Sequence, residues 1–515
     1  MVSTGDTWMY SAWGKVHRRI HDQMNPEQIE AWINEPARQT PVRHAYDVVV
    51  AGGGTSGLCA AIAAARSGAR TLLIERYAFC GGNATIYLPL LSFLDQQGNE
   101  VIKGIGKEIV DRVIELGGCV GHGRDPLHIS YAPVDPEIFK RVVIEELEKV
   151  GVDVILHSLV VDVQSVAVEG ELDTPPGPKA AGEQGGGRRR ITHLLIENKS
   201  GRSAVAGEWF IDGTGDGDVA YLAGATWEKG NAHGQMQPAT LMFRMSGVDI
   251  SKTRLAIAAD PQRFGCDLIP AEHYVRTDNF IVVGMREVLE EAKAAGDFPL
   301  HNNRVIFITQ PRPGEVAVNM TRVLIDATDA EDLSRGEMQA RKDVWVVEKF
   351  LREYIPGFED AYVIDTAHRL GIRETRRIIG EYVLDRNDIL ESRRFDDCIT
   401  VASYPIDLHH PNGPDCTLEH PKDTYDIPYR SLVPLGVANL LVVGRCISAT
   451  HEAMAAIRVM PIGMALGHAG GAAAAIAFKE RHKDVREVST RALQQLLLAQ
   501  GARITVPQAS AGSTA

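Results

Sequence analysis

The 515-residue chain is poor in cysteine, in positive charge and in long apolar runs. Its seven cysteines, at 59, 80, 119, 266, 398, 416 and 446, are scattered, odd in number and form no CxxC pair. That spacing argues against a structural zinc or a cysteine-ligated iron–sulfur cluster, and no metal is expected. Lys and Arg number 54 against 67 Asp and Glu, a formal net charge of −13. A nucleic-acid groove or an anchor to an acidic membrane wants the opposite sign, so the expected partner is a small-molecule substrate, with no nucleic acid and no membrane. The first thirty residues hold no apolar secretion core, and the Arg18–Arg19 pair runs into the polar HDQMNPEQ. The most apolar late stretch, 462–478, is rich in Ala and Gly and interrupted by His468, which suits a buried helix better than a membrane span. A cytoplasmic location is the expectation.

What the chain does have is YDVVVAGGGTSGLCAAIAAARSGARTLLIER, residues 46–76. An apolar β-rich run at 47–51 turns through Gly52, Gly54 and Gly57, enters an Ala-rich helix to about 67, and closes on a second apolar run ending at Glu75. This is a strand, helix, strand unit with a dinucleotide fingerprint inside it. The glycines allow the tight turn, the approach of a pyrophosphate and close helix packing, while N–H groups at the helix start face the phosphates. Glu75 is placed to accept from a ribose 2′-OH, and its charge would repel a 2′-phosphate. FAD or NAD is therefore expected, and not NADP.

Residues 1–45 form an extension with three tryptophans, Trp8, Trp13 and Trp32, and a short helix expected over 25–33. It packs on the body or on a second subunit, leaving a homo-oligomer open. After Glu75, Gly81–Gly82 permits another close backbone approach. Cys80 beside it is either a redox thiol or flavin attachment point, or a small buried residue at a turn, the reading preferred here because no second cysteine sits nearby. Helices are expected over 101–117 and 135–150, and strands within 152–166, at 191–197 and at 208–211. The Gly/Pro-rich insert at 170–190 reads as a solvated hairpin tip. Asp212 to Asp218, in WFIDGTGDGDVA, suits the ribityl and pyrophosphate part of a flavin. It lacks the terminal Glu and spacing of a calcium loop.

From 232 to about 396 the pattern changes to strands at 304–309 and 315–320 and helices at 336–354 and 359–384, an inserted domain that closes over the nucleotide site. Within the second helix Arg369, Arg373, Arg376 and Arg377 fall on one side by three- and four-residue spacing. Such a stripe either grips a substrate carboxylate or is a solvated face paired with Glu374 and Glu381. The turn-rich loop 404–434 holds Asp407, His409, His410 and His420 at spacings that match no common metal site. It reads as a loop over an active site, with His409 and Tyr429 as candidates for proton transfer. NLLVVGRCIS at 439–448 and a Pro-initiated Gly/Ala-rich helix from 461 return the chain to its nucleotide fold. A ligand spanning both ends of the chain favours FAD over NAD. The tail after 500 is Ser/Ala/Gly-rich and reads as disordered.

With VVVAGGGTSG, IERYAFCGGNAT, IDGTGDGDVA, GIRETRRIIGEYVL, DIPYRSLVP and NLLVVGRCISATHEAMAAIRVMPIGMALGHAGGAAAAIA in place, the chain resembles the FAD-dependent oxidoreductases related to the flavin subunits of fumarate reductase and heterodisulfide reductase. The resemblance covers most of 46–478. It implies an α/β fold, a discontinuous Rossmann-like FAD-binding domain (46–231 and 397–480) with an inserted α+β substrate domain (232–396), followed by a C-terminal helix and tail (481–515). It implies FAD contacts at Gly52, Gly54, Thr55, Ser56, Gly57, Glu75, Arg76, Gly82, Asp216, Gly444, Arg445, Ile462, Gly463 and Met464, with His451 and Arg458 near the flavin. The heterodisulfide-type cysteine cluster is absent, so electron transfer through protein-bound iron–sulfur centres is not expected. The reaction expected is hydride transfer between flavin N5 and a small polar, oxygenated or carboxylate-bearing substrate, with His451 or His409 as base, Arg373 and Arg376 orienting, and an electron acceptor left open. The alternatives are a flavin monooxygenase, a flavin-dependent isomerase or hydratase without net redox change, and a non-catalytic nucleotide-binding protein.

Overall fold

The computed structural model describes residues 37–170, 179–180, 187–277 and 279–505. The expected helix at 25–33, most of the 170–190 insert and the tail beyond 505 lie outside the described residues. Strand β1 (Val42–Ala51) starts before the expected boundary at 46, and its Val48–Ala51 run is wholly buried. Helix α1 (Thr55–Arg66) and β2 (Thr71–Ile74) complete the unit, with β1 and β2 parallel in the register Val48↔Thr71 to Ala51↔Ile74. Strands buried on both faces read as unbroken apolar runs, which is why no alternation marks them.

The seven-stranded sheet adds β3 (Asp153–Ile155), β4 (Leu159–Ala167), β5 (Arg189–Asn198) and β6 (Gly201–Asp212), in the order β3-β2-β1-β6-β5-β4. The first half of β6 pairs antiparallel with β5, and its last residues, Phe210 to Asp212, pair in parallel with Leu440–Val442. So β6 delivers the loop after Asp212 to the edge of the cleft between the two ends of the chain.

A separate antiparallel sheet is built from β7 (Phe243–Ser246), β8 (Ile281–Gly284), β9 (Val305–Thr309), β10 (Val316–Val318) and β11 (Tyr362–Thr366), in the order β8-β9-β10-β7-β11. Helix α2 (Ala330–Tyr354), capped by Asp329 on the Asp332 N–H, buries Val344, Val347, Phe350 and Leu351 in the same core. The helix expected over 359–384 does not form. β11 occupies its start and a short strand, β12 (Arg376–Ile378), its middle, paired with Thr226–Lys229. The loop expected over 404–434 contains a hairpin, β13 (Ile406–His409) with β14 (Cys416–Glu419), which sets His409 opposite Cys416.

Beyond β15 (Leu440–Val442) come α3 (His451–Ile457), capped by Thr450, and α4 (Met460–Lys479), with Pro461 in its first turn. α4 is long and apolar enough to cross a membrane by length and composition, but 94% of that window is buried inside the fold. A Cβ on Gly467 would lie 1.9 Å from the Ser56 carbonyl oxygen, and one on Gly471 would lie 2.1 Å from that of Ala60. α4 and α1 thus touch backbone to backbone, which explains the Gly/Ala composition of 462–478.

Candidate functional site

The glycine turn is where β1 meets α1. Gly52 has φ +93°, and a Cβ there would sit 2.4 Å from the Gly213 oxygen, so the turn is pressed against the loop after β6. Gly54 is the opposite case, since a Cβ on it would meet nothing within 4 Å and would project into open space. It caps α1 with no side-chain hydrogen bond, leaving the helix N-terminus available to an anion. Gly57 lies behind, its Cβ position 1.8 Å from the Gly52 oxygen. Glu75 accepts from the Gly53 N–H at 2.6 Å and the Tyr77 N–H at 2.8 Å, which fixes its carboxylate at the end of β2.

Three aspartates close and follow β6. Asp212 is fully buried and accepts from Thr214 Oγ1 at 2.6 Å and the Ala220 N–H at 2.9 Å, holding the loop in shape, and burial raises its pKa. Asp216 accepts from Arg445 at 2.6 Å and from Thr375 Oγ1 at 2.8 Å. Burial would raise its pKa, but the guanidiniums of Arg445 and then Arg76 outweigh that and hold it low. Asp218, paired with Arg376 at 2.9 Å, is pushed up to about 6 by burial and then by Asp216 and Asp212.

The glycine turn, Glu75 and the loop after β6 line one open cleft. Of the residues expected to contact the cofactor, Gly52, Gly54, Thr55, Ser56, Glu75, Arg76, Gly82, Asp216, Gly444, Arg445 and Gly463 line it. Gly57 stands behind the turn, and Ile462 and Met464 are fully buried away from the wall. Sequence reasoning had not singled out Asn83, Ser158, His368 or Met460, which also line it. Cys80 does not. Its thiol is buried, and burial followed by the nearby Glu75 pushes it up to about 12.

The four residues expected to act on substrate separate into three places. Arg373 and His409 share one cluster, next to the cleft wall at Arg458. Arg373 donates to the Pro238 oxygen at 2.6 Å, and burial, then Arg458, pushes its pKa down to about 9. His409 Nε2 lies 3.4 Å from Asp407, and burial followed by Arg373 pushes it down to about 4. Burial would raise the Asp407 pKa, but His409 and then Arg458 hold its carboxyl well below the usual carboxylate range. Arg322 completes the cluster, binding the carbonyls of His410 and Gly413. It follows no motif and carried no signal in the sequence. Arg376 lies elsewhere, on Asp218 and 4.1 Å over the Tyr221 ring. The shared helical face does not exist, because neighbours on a strand point to opposite sides. Arg377 accordingly turns the other way, to Glu374 and the Ala449 oxygen. His451 joins that second network, with Nδ1 2.9 Å from the fully buried Glu374 carboxylate. Tyr429 donates to the Val485 oxygen at 2.9 Å, apart from all three places.

The open Cβ direction at Gly54, the uncapped start of α1 and the fixed carboxylate of Glu75 fit a dinucleotide, and the cleft continues past its phosphate region to Gly444, Arg458 and Gly463 as FAD requires. Over 86 residues the chain is 42% identical to the tRNA uridine 5-carboxymethylaminomethyl modification enzyme MnmG of Lactococcus lactis subsp. lactis (strain IL1403), and 40% identical to that of Bacillus subtilis (strain 168). Each match takes in 16% of this chain and 12% of the relative. Among solved structures, p-nitrophenol 4-monooxygenase PnpA from Pseudomonas putida DLL-E4 superposes with a TM-score of 0.41 at 11% identity, covering 88% of this chain and 84% of that one. A flavoprotein/dehydrogenase from Cytophaga hutchinsonii gives 0.42 at 13%, covering 88% and 83%. The model of the FAD dependent oxidoreductase family matches residues 47–497, and the chain belongs to that family.

Proposed function

We propose that this FAD-dependent oxidoreductase acts as a dehydrogenase or reductase on a small polar molecule bearing a carboxylate, and that it is related to the flavin subunits of fumarate reductase and heterodisulfide reductase. The observation that carries the reading is Arg373. It is part-buried and donates to one carbonyl, and among the described residues no carboxylate lies within ion-pair distance of it. Arg458 and Arg322 stand near enough to oppose its charge. Asp407, the acid nearest them, already serves Arg458 and His409. A partly buried excess of positive charge is costly unless an anion shares the site, and guanidiniums match a carboxylate in shape as well as charge. Buried donors at Arg458 Nε and Gln237 Nε2 have no hydrogen-bond partner and would serve the same ligand.

When bound, FAD supplies a two-electron carrier at its ring nitrogen N5. The protein's part is binding, orientation and the proton. Arg373, Arg458 and Arg322 hold the carboxylate and present the adjoining carbon to the cleft. His409, neutral near pH 7, keeps Nε2 toward Asp407 and takes the substrate proton at Nδ1. We assign the proton to His409 in preference to His451, whose Nδ1 is committed to Glu374. Arg376 supports the aspartate loop through Asp218 and has no part in orienting substrate.

The test mixes holoprotein, without oxygen, with a panel of small saturated and hydroxy carboxylic acids and their methyl esters. Dithionite-reduced holoprotein is mixed with the corresponding unsaturated and oxo acids. Flavin bleaching or re-oxidation by an acid and not by its ester supports the reading. Equal action of ester and acid overturns it.

A further inference from the structure

Four arginines line the cleft, Arg76, Arg369, Arg445 and Arg458. Arg445 reaches Asp216 at 2.6 Å, Arg458 reaches Asp407 at 3.5 Å and Arg76 reaches Asp216 at 3.8 Å. Among the described residues, Arg369 alone of the four has no carboxylate within 4 Å. One of its nitrogens donates to the Leu370 oxygen at 3.1 Å and another to Asn83 Oδ1 at 2.8 Å, while Nε is buried with no partner. It is part-buried, its guanidinium carbon lies 5.5 Å from the Tyr77 ring centroid, and it lines the cleft.

The tether to Asn83 says where the cation points. Asn83 belongs to the single turn Gly82–Thr85, and a Cβ on Gly82 would lie 2.8 Å from the Gly54 Cα. Gly54 caps α1, so one hydrogen bond and one backbone contact connect Arg369 to the helix N-terminus. Two features that each attract a dianion, an uncapped helix start and an unneutralised guanidinium, therefore border the same part of the cleft. They arrive from different parts of the chain, α1 from the dinucleotide unit and Arg369 from the segment after the inserted sheet.

We propose that Arg369 is a diphosphate-binding residue, so that the diphosphate is held jointly by the α1 N-terminus and a cation carried in from the inserted domain. Burial, and to a lesser degree Arg76 and Arg445, makes Arg369 less willing to carry its charge when no anion is present. The proposal needs FAD but not the carboxylate reading, because its readout is cofactor affinity and not turnover.

The test measures FAD affinity of wild type and R369Q by flavin fluorescence on dilution of the holoprotein, and displacement of FAD by ADP and by adenosine. Charge-assisted hydrogen bonds of this kind predict FAD and ADP binding about ten- to a hundredfold weaker in R369Q, with adenosine unchanged. FAD affinity within twofold of wild type overturns the proposal. An equal loss for adenosine also overturns it, since that residue would then be shaping the adenosine pocket. Should R369Q give no folded holoprotein, R369K carries the test. It keeps the charge without the two-pronged donor set, and is expected to weaken FAD and ADP about three- to tenfold with adenosine unchanged. An unaltered FAD affinity in R369K then overturns it.

Discussion

Arg445 reaches across 229 residues of chain to hold Asp216 at 2.6 Å. The first comes from the turn after β15 and the second from the loop after β6, and the two strands run side by side. Thr375 bonds both, donating to Asp216 and accepting from Arg445. The middle of the cleft is thus cross-braced by three separate stretches of chain, and the expectations below concern what that bracing positions.

Replacing Arg373 with Gln removes the cation that lacks a carboxylate. The apparent KM for a carboxylate substrate should rise about ten- to a hundredfold, the range for a hydrogen bond to a charged group, with FAD content unchanged. Steady-state kinetics and the flavin-to-protein absorbance ratio check both halves.

His409 gives a pH signature. Its pKa is pushed down to about 4, so the neutral, proton-accepting form prevails down to that value. kcat/KM, which reports the free enzyme, should stay level from pH 8 to about 5 and fall below as the ring protonates. A fall centred near 6.5 to 7 assigns the base to a different group. H409Q should slow flavin reduction about a hundredfold.

His468 bears on stability. It is 1% exposed, accepts or donates one bond to Gln500 at 2.7 Å, and burial pushes it down to about 4. The unfolded chain protonates this ring near 6.5, so between 6.5 and 4 the unfolded state binds more protons. The stabilising contribution is complete above 6.5 and is lost as pH falls toward 4, an effect of at most about 3 kcal/mol. Urea unfolding of wild type and H468Q across that window should show the variant losing less stability as the pH drops.

G467A puts a methyl where the Ser56 oxygen lies 1.9 Å away, and that neighbour is backbone. α4 must move off α1, at a cost of about 3 kcal/mol or more. The urea midpoint should fall and FAD should leave earlier in the titration than from wild type.

The dinucleotide unit was legible because local chemistry and tertiary role agree there. Gly52, Gly54 and Glu75 sit where their spacing put them, and Asp216 joins them through a β-run whose acid end could be read directly. The 367–384 segment misled for a physical reason. Its arginines recur at three and four residues, yet Gly371 and Gly380 bracket it and Thr375, Ile378 and Ile379 favour extended backbone. With 376–378 extended, Arg376 and Arg377 part company and Glu374, which a helix would have left at the surface, becomes the buried hub of a network. Arg322 was illegible because nothing local distinguishes it. Its role depends on the hairpin at 406–419 folding over it, which no single window of sequence contains.

The backbone contact between α1 and α4 also sets an order of events during synthesis. The glycine turn is among the first parts of the fold to leave the ribosome, but the helix that backs it is complete only once residue 479 has been made. Until then the face of α1 at Ser56 and Ala60 lacks the helix whose Gly467 and Gly471 pack against it, and a chain truncated anywhere upstream keeps the fingerprint without the support behind it. Cofactor retention is in that sense a completeness check, distinguishing finished chains from fragments that carry the same motif.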